Sequence, residues 1–331
     1  MMTSKISSET SAISNNPVKD TPMSKFWKSV GKMGHPDASR AARTIYDLYE
    51  KSFRLLFRTA RPQDRCPIYK RDWDVLVVLD GCRVDLLKAV AGEYPFVNVD
   101  ETVESVGSAS FEWLVKNFTE KFKTEVAETA HVTGNVKTNL ALDPGDFLVL
   151  DEVWKYAWDE EIGTIRPRPI TDRAIRTWRD LTPGRMIIHY MQPHFPSLSH
   201  PNLGSKTVRD MSGGGWESYP IWDRLRAGEV THDEVWEAYM GNLEVVLEDV
   251  ELLLESINAE TVVITSDHGN AMGEFGFYDH PGYHPLSVLR EVPWCTTTAS
   301  RTRDYEPKTQ FEKTEIGQDE VETRLEALGY V

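Results

Sequence analysis

The chain has 331 residues, an apolar share of 40% and a net charge of −15. That length suits one large α/β domain or two small ones, and the negative charge argues against general nucleic-acid binding. Cys66, Cys82 and Cys295 are too few and too widely spaced for a disulfide framework.

No apolar run approaches the ~20 residues of a membrane span, and the N-terminus lacks the apolar centre of a signal peptide. The expectation is therefore a soluble, cytoplasmic protein. The charge is uneven. Residues 1–74 carry 14 Lys and Arg against 8 Asp and Glu, a net of +6, which leaves −21 for the remainder.

In chain order, residues 1–38 begin rich in Ser, Thr, Asn and Lys and are expected to be a disordered N-terminal segment. Residues 39–73 are read as a basic amphipathic helix and a linker. Ser39 stands at a capping position, and Ile45, Leu48, Tyr49, Leu55 and Leu56 recur at helical spacing. Such a helix packs on its own domain or lies on an anionic membrane surface. Packing is the favoured reading, with peripheral membrane contact through residues 39–58 as the alternative.

The globular domain is expected over residues 74–331. Val75 to Leu79 is a continuous apolar run, as in a strand buried on both faces. Asp80-Gly81 ends it, and Arg83 to Ala91 reads as a helix. Gly107-Ser108-Ala109-Ser110 is a small turn before a helix over Glu112 to Phe118. A serine there is a helix cap, or a hydroxyl at a helix N-terminus, where free N–H groups favour an anion. Short strands are expected within 125–133 and 146–150, and a helix over Thr171 to Arg179.

Met186 to Ile188 is a strand leading into His189-Tyr190-Met191-Gln192-Pro193-His194. Residues 199–229 form a long Gly-rich loop of the kind that becomes a lid, a binding loop or disorder. Thr231 and Glu234 have capping-box spacing and open the clearest helix. That helix delivers the chain into Thr261 to Thr265, five β-branched residues. Asp267-His268-Gly269 follows at the strand's carboxyl end, where open α/β sheets bind ligands. After Pro293 the chain reads as a charged tail with a short helix over Gln318 to Leu328. This alternation predicts an α/β fold, a doubly wound, mostly parallel sheet with helices on both faces.

Collected at strand ends, Asp80, Ser110, His194, Asp267 and His268 offer two carboxylates, imidazoles and a hydroxyl. Carboxylate and imidazole together suit a divalent metal such as Zn or Mn. A metal beside a serine lowers its hydroxyl pKa and screens an attacked phosphate.

The sequence here resembles the sulfatase-like branch of the alkaline phosphatase superfamily, including its archaeal members. The stretches are Leu79-Asp80-Gly81-Cys82-Arg83-Val84-Asp85, Gly107 to Ser110, His189 to Pro196, Asp267-His268-Gly269 with Gly273-Glu274 and His280, and Leu325 to Tyr330. The resemblance implies an alkaline phosphatase-like fold and one or two divalent metals, Mn, Zn, Ca or Mg. It implies Asp80, Ser110, Asp267, His268 and His280 as metal ligands. Ser110 and His194 would be catalytic, and His189, His194, Asn270 and His284 would bind substrate. Ser108 stays a rival to Ser110.

True sulfatases build formylglycine within a Cys/Ser-x-Pro/Ala-x-Arg motif, which neither Cys66 nor Cys82 begins. Asn270 stands where the branch often has Glu, and the first strand offers one aspartate, Asp80. The implied activity is a metal-dependent hydrolase or transferase of phosphate esters, small-molecule or lipid- or glycan-linked. A sulfuric ester hydrolase and a degenerate protein binding an anionic ligand are the alternatives.

Overall fold

The structure is a computed structural model that describes residues 22–60, 65–203, 206–209, 216–219, 221–308 and 316–329. Seven strands form the central sheet: β1 (Val75–Leu79), β2 (Thr102–Glu104), β3 (Thr129–Thr133), β4 (Val149–Glu152), β5 (Arg185–Tyr190), β6 (Ala259–Thr265) and β7 (Glu291–Ala299). Their spatial order is β2-β7-β6-β1-β5-β3-β4. β6, β1, β5, β3 and β4 run parallel, and β7 and β2 run antiparallel at one side. The carboxyl ends of the parallel strands therefore share one edge of the sheet.

Successive β1 side chains point to opposite faces, and both faces are covered. Val75, Val77 and Leu79 join a core cluster with Leu86, Ile170, Ala174, Leu243 and Val246. Those partners lie on α3 (Val84–Val90), α5 (Pro167–Leu181) and α6 (His232–Leu254). Leu76 and Val78 join Trp113 and Leu114 of α4 (Ser110–Asn117) on the other face. This is the α/β architecture expected from the uninterrupted apolar strands. The Thr231–Glu234 capping box opens α6 as expected. A last helix, α7, covers Gln318–Ala327.

Three features depart from the sequence reading. β7 occupies the segment read as a tail after Pro293. Pro293 lies inside it, opposite Thr102, and its carbonyl accepts a hydrogen bond of 2.7 Å from Thr265 Oγ1. Within 199–229, Lys206–Arg209 pairs antiparallel with Trp216–Tyr219, and Ile221–Ala227 is helical with Trp222 buried against Phe195 and Tyr239. Residues 204, 205, 210–215 and 220 of that loop lie outside the described residues.

The third departure is at the N-terminus. Residues 1–21 lie outside the described residues, but α1 (Pro22–Met33) falls within the stretch expected to be disordered. Its Val30 is buried with Tyr46 and Phe277, and a side chain at Gly31 would come within 2.6 Å of the Tyr278 ring. α2 (Arg40–Ala60) follows. It packs through the expected Tyr49 together with Tyr46 and Phe53, while Ile45, Leu48, Leu55 and Leu56, also expected, are exposed. The aromatic rings stack against Phe277 and His284 and supply more buried area per residue than the aliphatic stripe.

Candidate metal centre

Two strand ends meet at the carboxyl edge. β1 and β6 are parallel neighbours with Val78 opposite Thr265, so Asp80 and Asp267 emerge side by side. The turn after β1 is tied to the turn after β6. Gly81 N–H donates to Asp267 Oδ1 at 3.0 Å, and Cys82 N–H donates to Ser266 Oγ at 2.8 Å. Gly81 takes φ +68°, and a Cβ on it would meet Asn270 Nδ2 at 2.9 Å. Only glycine takes this turn without strain. Tyr239 of α6 donates to the Gly81 carbonyl and accepts from Asn270 Nδ2 at 2.9 Å.

Asp80, Asp267 and His268 are fully buried, and one ligand atom from each lies within 4.8 Å of the others. His268 Nε2 is 3.5 Å from Asp80 Oδ1 and 3.3 Å from Asp267 Oδ2. His268 Nδ1 lies 3.0 Å from the Gly269 carbonyl. A carbonyl only accepts, so Nδ1 carries the hydrogen, and in the neutral ring Nε2 presents a lone pair. Two carboxylates and an imidazole lone pair then converge in a buried space that calls for positive charge. Hard oxygen and borderline nitrogen donors fit a divalent ion. The carbonyl bond that fixes the His268 tautomer is the kind of outer support metal-bound histidines have.

Burial pushes the Asp267 carboxyl up. The facing imidazoles of His268 and His189 and the Gly81 N–H outweigh it, and the net shift is downward.

Ser110 stands at the first position of α4, with Ala109 at the cap. Its Oγ lies 3.3 Å from Asp80 Oδ2 and 3.2 Å from His268 Nε2. Ser108 is turned elsewhere. Its Oγ is 3.0 Å from Glu112 Oε2 and 2.9 Å from the Pro281 carbonyl, and it accepts from His284 N–H at 2.9 Å.

The remaining candidates divide. His194 and His280 meet beside the centre with Nε2 atoms 2.9 Å apart, and the His280 ring is 4.5 Å from that of His268. His194 Nδ1 lies 2.5 Å from the Phe195 carbonyl and so bears its hydrogen. In neutral rings His280 is then the donor to His194. Burial first, and the neighbouring imidazoles second, push both rings down to about 3.

His189, expected to touch substrate, is fully buried behind the carboxylates. Its Nε2 is 3.8 Å from both Asp80 Oδ2 and Asp267 Oδ2, and neither ring nitrogen makes a hydrogen bond. Burial lowers its pKa to about 4, against the pull of Asp267. His284 was likewise expected to bind substrate. Its ring stacks on Phe53 at 5.5 Å, and its Nδ1 accepts from Leu286 N–H. Asn270 is buried under the Gly81 turn, which it steadies through Tyr239.

Two contributors escaped the sequence reading. Asn135, just past β3, donates from Nδ2 to Asp80 Oδ2 at 2.7 Å. Its only signal is a Gly-Asn pair at a parallel strand's end. Glu112, nearly absent from the surface, accepts from Ser108 N–H at 2.9 Å, Tyr283 N–H at 2.8 Å and Arg290 Nη2 at 2.9 Å. It thereby joins the turn before Ser110 to the segment carrying His280 and His284. Burial pushes its carboxyl up, but Lys116, Arg290 and the Ser108 N–H bring it down to about 2.

No family model and no curated protein matches the chain. Solved structures do. The integral membrane lipooligosaccharide phosphoethanolamine transferase A of Neisseria meningitidis aligns at 14% identity and a TM-score of 0.42, over 73% of this chain and 49% of that one. Its soluble domain aligns at 15% identity and 0.40, over 73% and 79%. The C-terminal periplasmic domain of the phosphoethanolamine transferase EptC of Campylobacter jejuni aligns at 16% and 0.41, over 68% and 78%. The chain thus spans about half the length of the intact Neisseria protein. The cytoplasmic location expected from the sequence is withdrawn; the structures matched are of an integral membrane protein, its soluble domain and a periplasmic domain.

Proposed function

We propose that this chain is a metal-dependent phosphotransferase or hydrolase of the sulfatase-like branch of the alkaline phosphatase superfamily. It would act on a phosphate ester, lipid- or glycan-linked, with Ser110 as nucleophile. Residues 74–331 would form the catalytic unit. The observation that carries the reading is the convergence of Asp80, Asp267 and the His268 Nε2 lone pair, with Ser110 Oγ in hydrogen-bond range of two of them.

Asp80, Asp267 and His268 would hold the divalent ion. When bound, it lowers the serine pKa and offsets charge on the phosphate oxygens. The chain's own part is positional. Ser110 Oγ forms a bond to phosphorus as the bond to the leaving alkoxide breaks, and Asp80 Oδ2 is placed to take the hydroxyl proton. The N–H groups opening α4 favour the anionic phosphate there. Asn135 orients Asp80 through the oxygen that faces Ser110. The neutral His194–His280 pair is assigned to contacts with the transferred group or the leaving oxygen. Water or an acceptor alcohol then breaks the Ser110–phosphorus bond and regenerates the hydroxyl.

Turnover of a panel of aryl phosphates, phosphodiesters and aryl sulfates tests this. Ser110→Ala is expected to lose on the order of a thousandfold or more in kcat while still binding Zn or Mn. Full activity in Ser110→Ala would sink the nucleophile assignment.

A further inference from the structure

α2 carries two apolar faces. Tyr46, Tyr49 and Phe53 face the domain. On the opposite side Ile45, Leu48, Leu55 and Leu56 are 57%, 66%, 69% and 65% exposed. With Ala41, they follow the spacing that lines one side of a helix. The exposed Arg40 and Lys51 border this stripe on one flank. α1 adds the exposed Met23 and Phe26 and the exposed Lys25, Lys28 and Lys32. Residues 22–60 hold eight Lys and Arg against the three acids Asp37, Asp47 and Glu50, in a chain whose net charge is −15. An apolar stripe with a cationic margin complements an anionic bilayer: the leucines enter the acyl boundary and the basic side chains meet the headgroups. Among the described residues no helix is long and apolar enough to cross a membrane.

We infer that α1 and α2 form a docking surface for a bilayer containing anionic lipid, on which the protein lies without spanning it. The surface is coupled to the metal centre. Arg54 Nη1 donates to the Gly282 carbonyl at 2.8 Å, Tyr49 OH to the Phe275 carbonyl at 2.9 Å, and Phe53 stacks on His284. α2 thus grips the segment that carries His280. Granted the phosphotransferase reading, docking brings the rim of that centre to a lipid-borne substrate.

Co-sedimentation of the full chain with vesicles tests the docking without turnover, so its outcome is separate from that of the Ser110 assignment. We expect binding to equimolar phosphatidylcholine–phosphatidylglycerol vesicles, little binding to phosphatidylcholine alone, and weakening by salt. The double variant Ile45→Ser/Leu48→Ser, at exposed positions, is expected to keep its circular dichroism and lose roughly tenfold or more in partitioning. Arg40→Gln/Lys51→Gln is expected to flatten the salt dependence. Absence of binding to the anionic vesicles overturns the inference, as does binding that the double variant leaves unchanged. So does a dimer, seen by sedimentation velocity, that the double variant dissolves while vesicle binding is absent: the stripe would then meet a second copy.

Discussion

Replacing Glu112 by Gln keeps the side chain's shape and removes its charge at the knot between the Ser110 turn and the His280 segment. The wild-type carboxyl is held at about 2 against an ordinary 4.5. At about 1.4 kcal/mol per pH unit, that depression corresponds to about 3–4 kcal/mol of stability. A second route gives a similar size. Arg290 is 2% exposed and would lose its only charged acceptor among the described residues, keeping the carbonyls of His284, Ser105 and Val106. Breaking a buried pair on one side costs roughly 3–5 kcal/mol. We therefore expect Glu112→Gln to lower the unfolding free energy by about 3–4 kcal/mol at pH 7, read by urea denaturation. The sign with pH follows from a depressed carboxyl. Its contribution is complete above 4.5, declines as pH falls through the window down to about 2, and is gone below it. The gap between wild type and variant should close over that window. Equal stability at neutral pH, or a gap indifferent to pH, refutes the reasoning.

Other perturbations address the turn and the core. Gly81→Ala forces a Cβ into a left-handed turn and against Asn270; a loss of about 1–2 kcal/mol or more is expected by thermal unfolding, with weaker metal binding. Tyr239→Phe removes the hydroxyl shared by Gly81 and Asn270, and calorimetric unfolding should show a cost of about 1–3 kcal/mol. Leu79→Ala opens a cavity beside Asp80 in a fully buried position and should cost about 2–5 kcal/mol in denaturant unfolding. Asn135→Ala leaves the fold intact and should reduce kcat more than it reduces metal content, as measured by elemental analysis. Its outcome separates orientation of Asp80 from ligation.

The parts that sequence made legible share a physical cause. Val75 to Leu79 and Thr261 to Thr265 are apolar or β-branched throughout because both faces of the sheet are covered, and such strands announce themselves. Asp80 and Asp267-His268 stood out because they interrupt those strands at the functional edge. Asn135 did not: β3 was expected within 125–133, but Asn135 lies past its end in a turn, where a lone amide carries no signal of its own. β7 was hidden by Pro293 and three consecutive threonines. The resemblance named His189 and His284 as substrate-binding, and a sequence does not say which way a side chain turns; one lies behind the carboxylates and the other stacks on Phe53. In α2 the expected packing set was four aliphatic residues and Tyr49; only Tyr49 packs, joined by Tyr46 and Phe53.

The central claim is that Asp80, Asp267 and His268 hold a divalent ion beside Ser110. Titration calorimetry with Zn and Mn on the wild-type protein, Asp80→Asn, Asp267→Asn and Ser110→Ala tests it most directly. We expect one tight site in the wild type, a loss of at least about tenfold in affinity in each aspartate variant, and a retained site in Ser110→Ala. Wild-type affinity in both aspartate variants contradicts the claim.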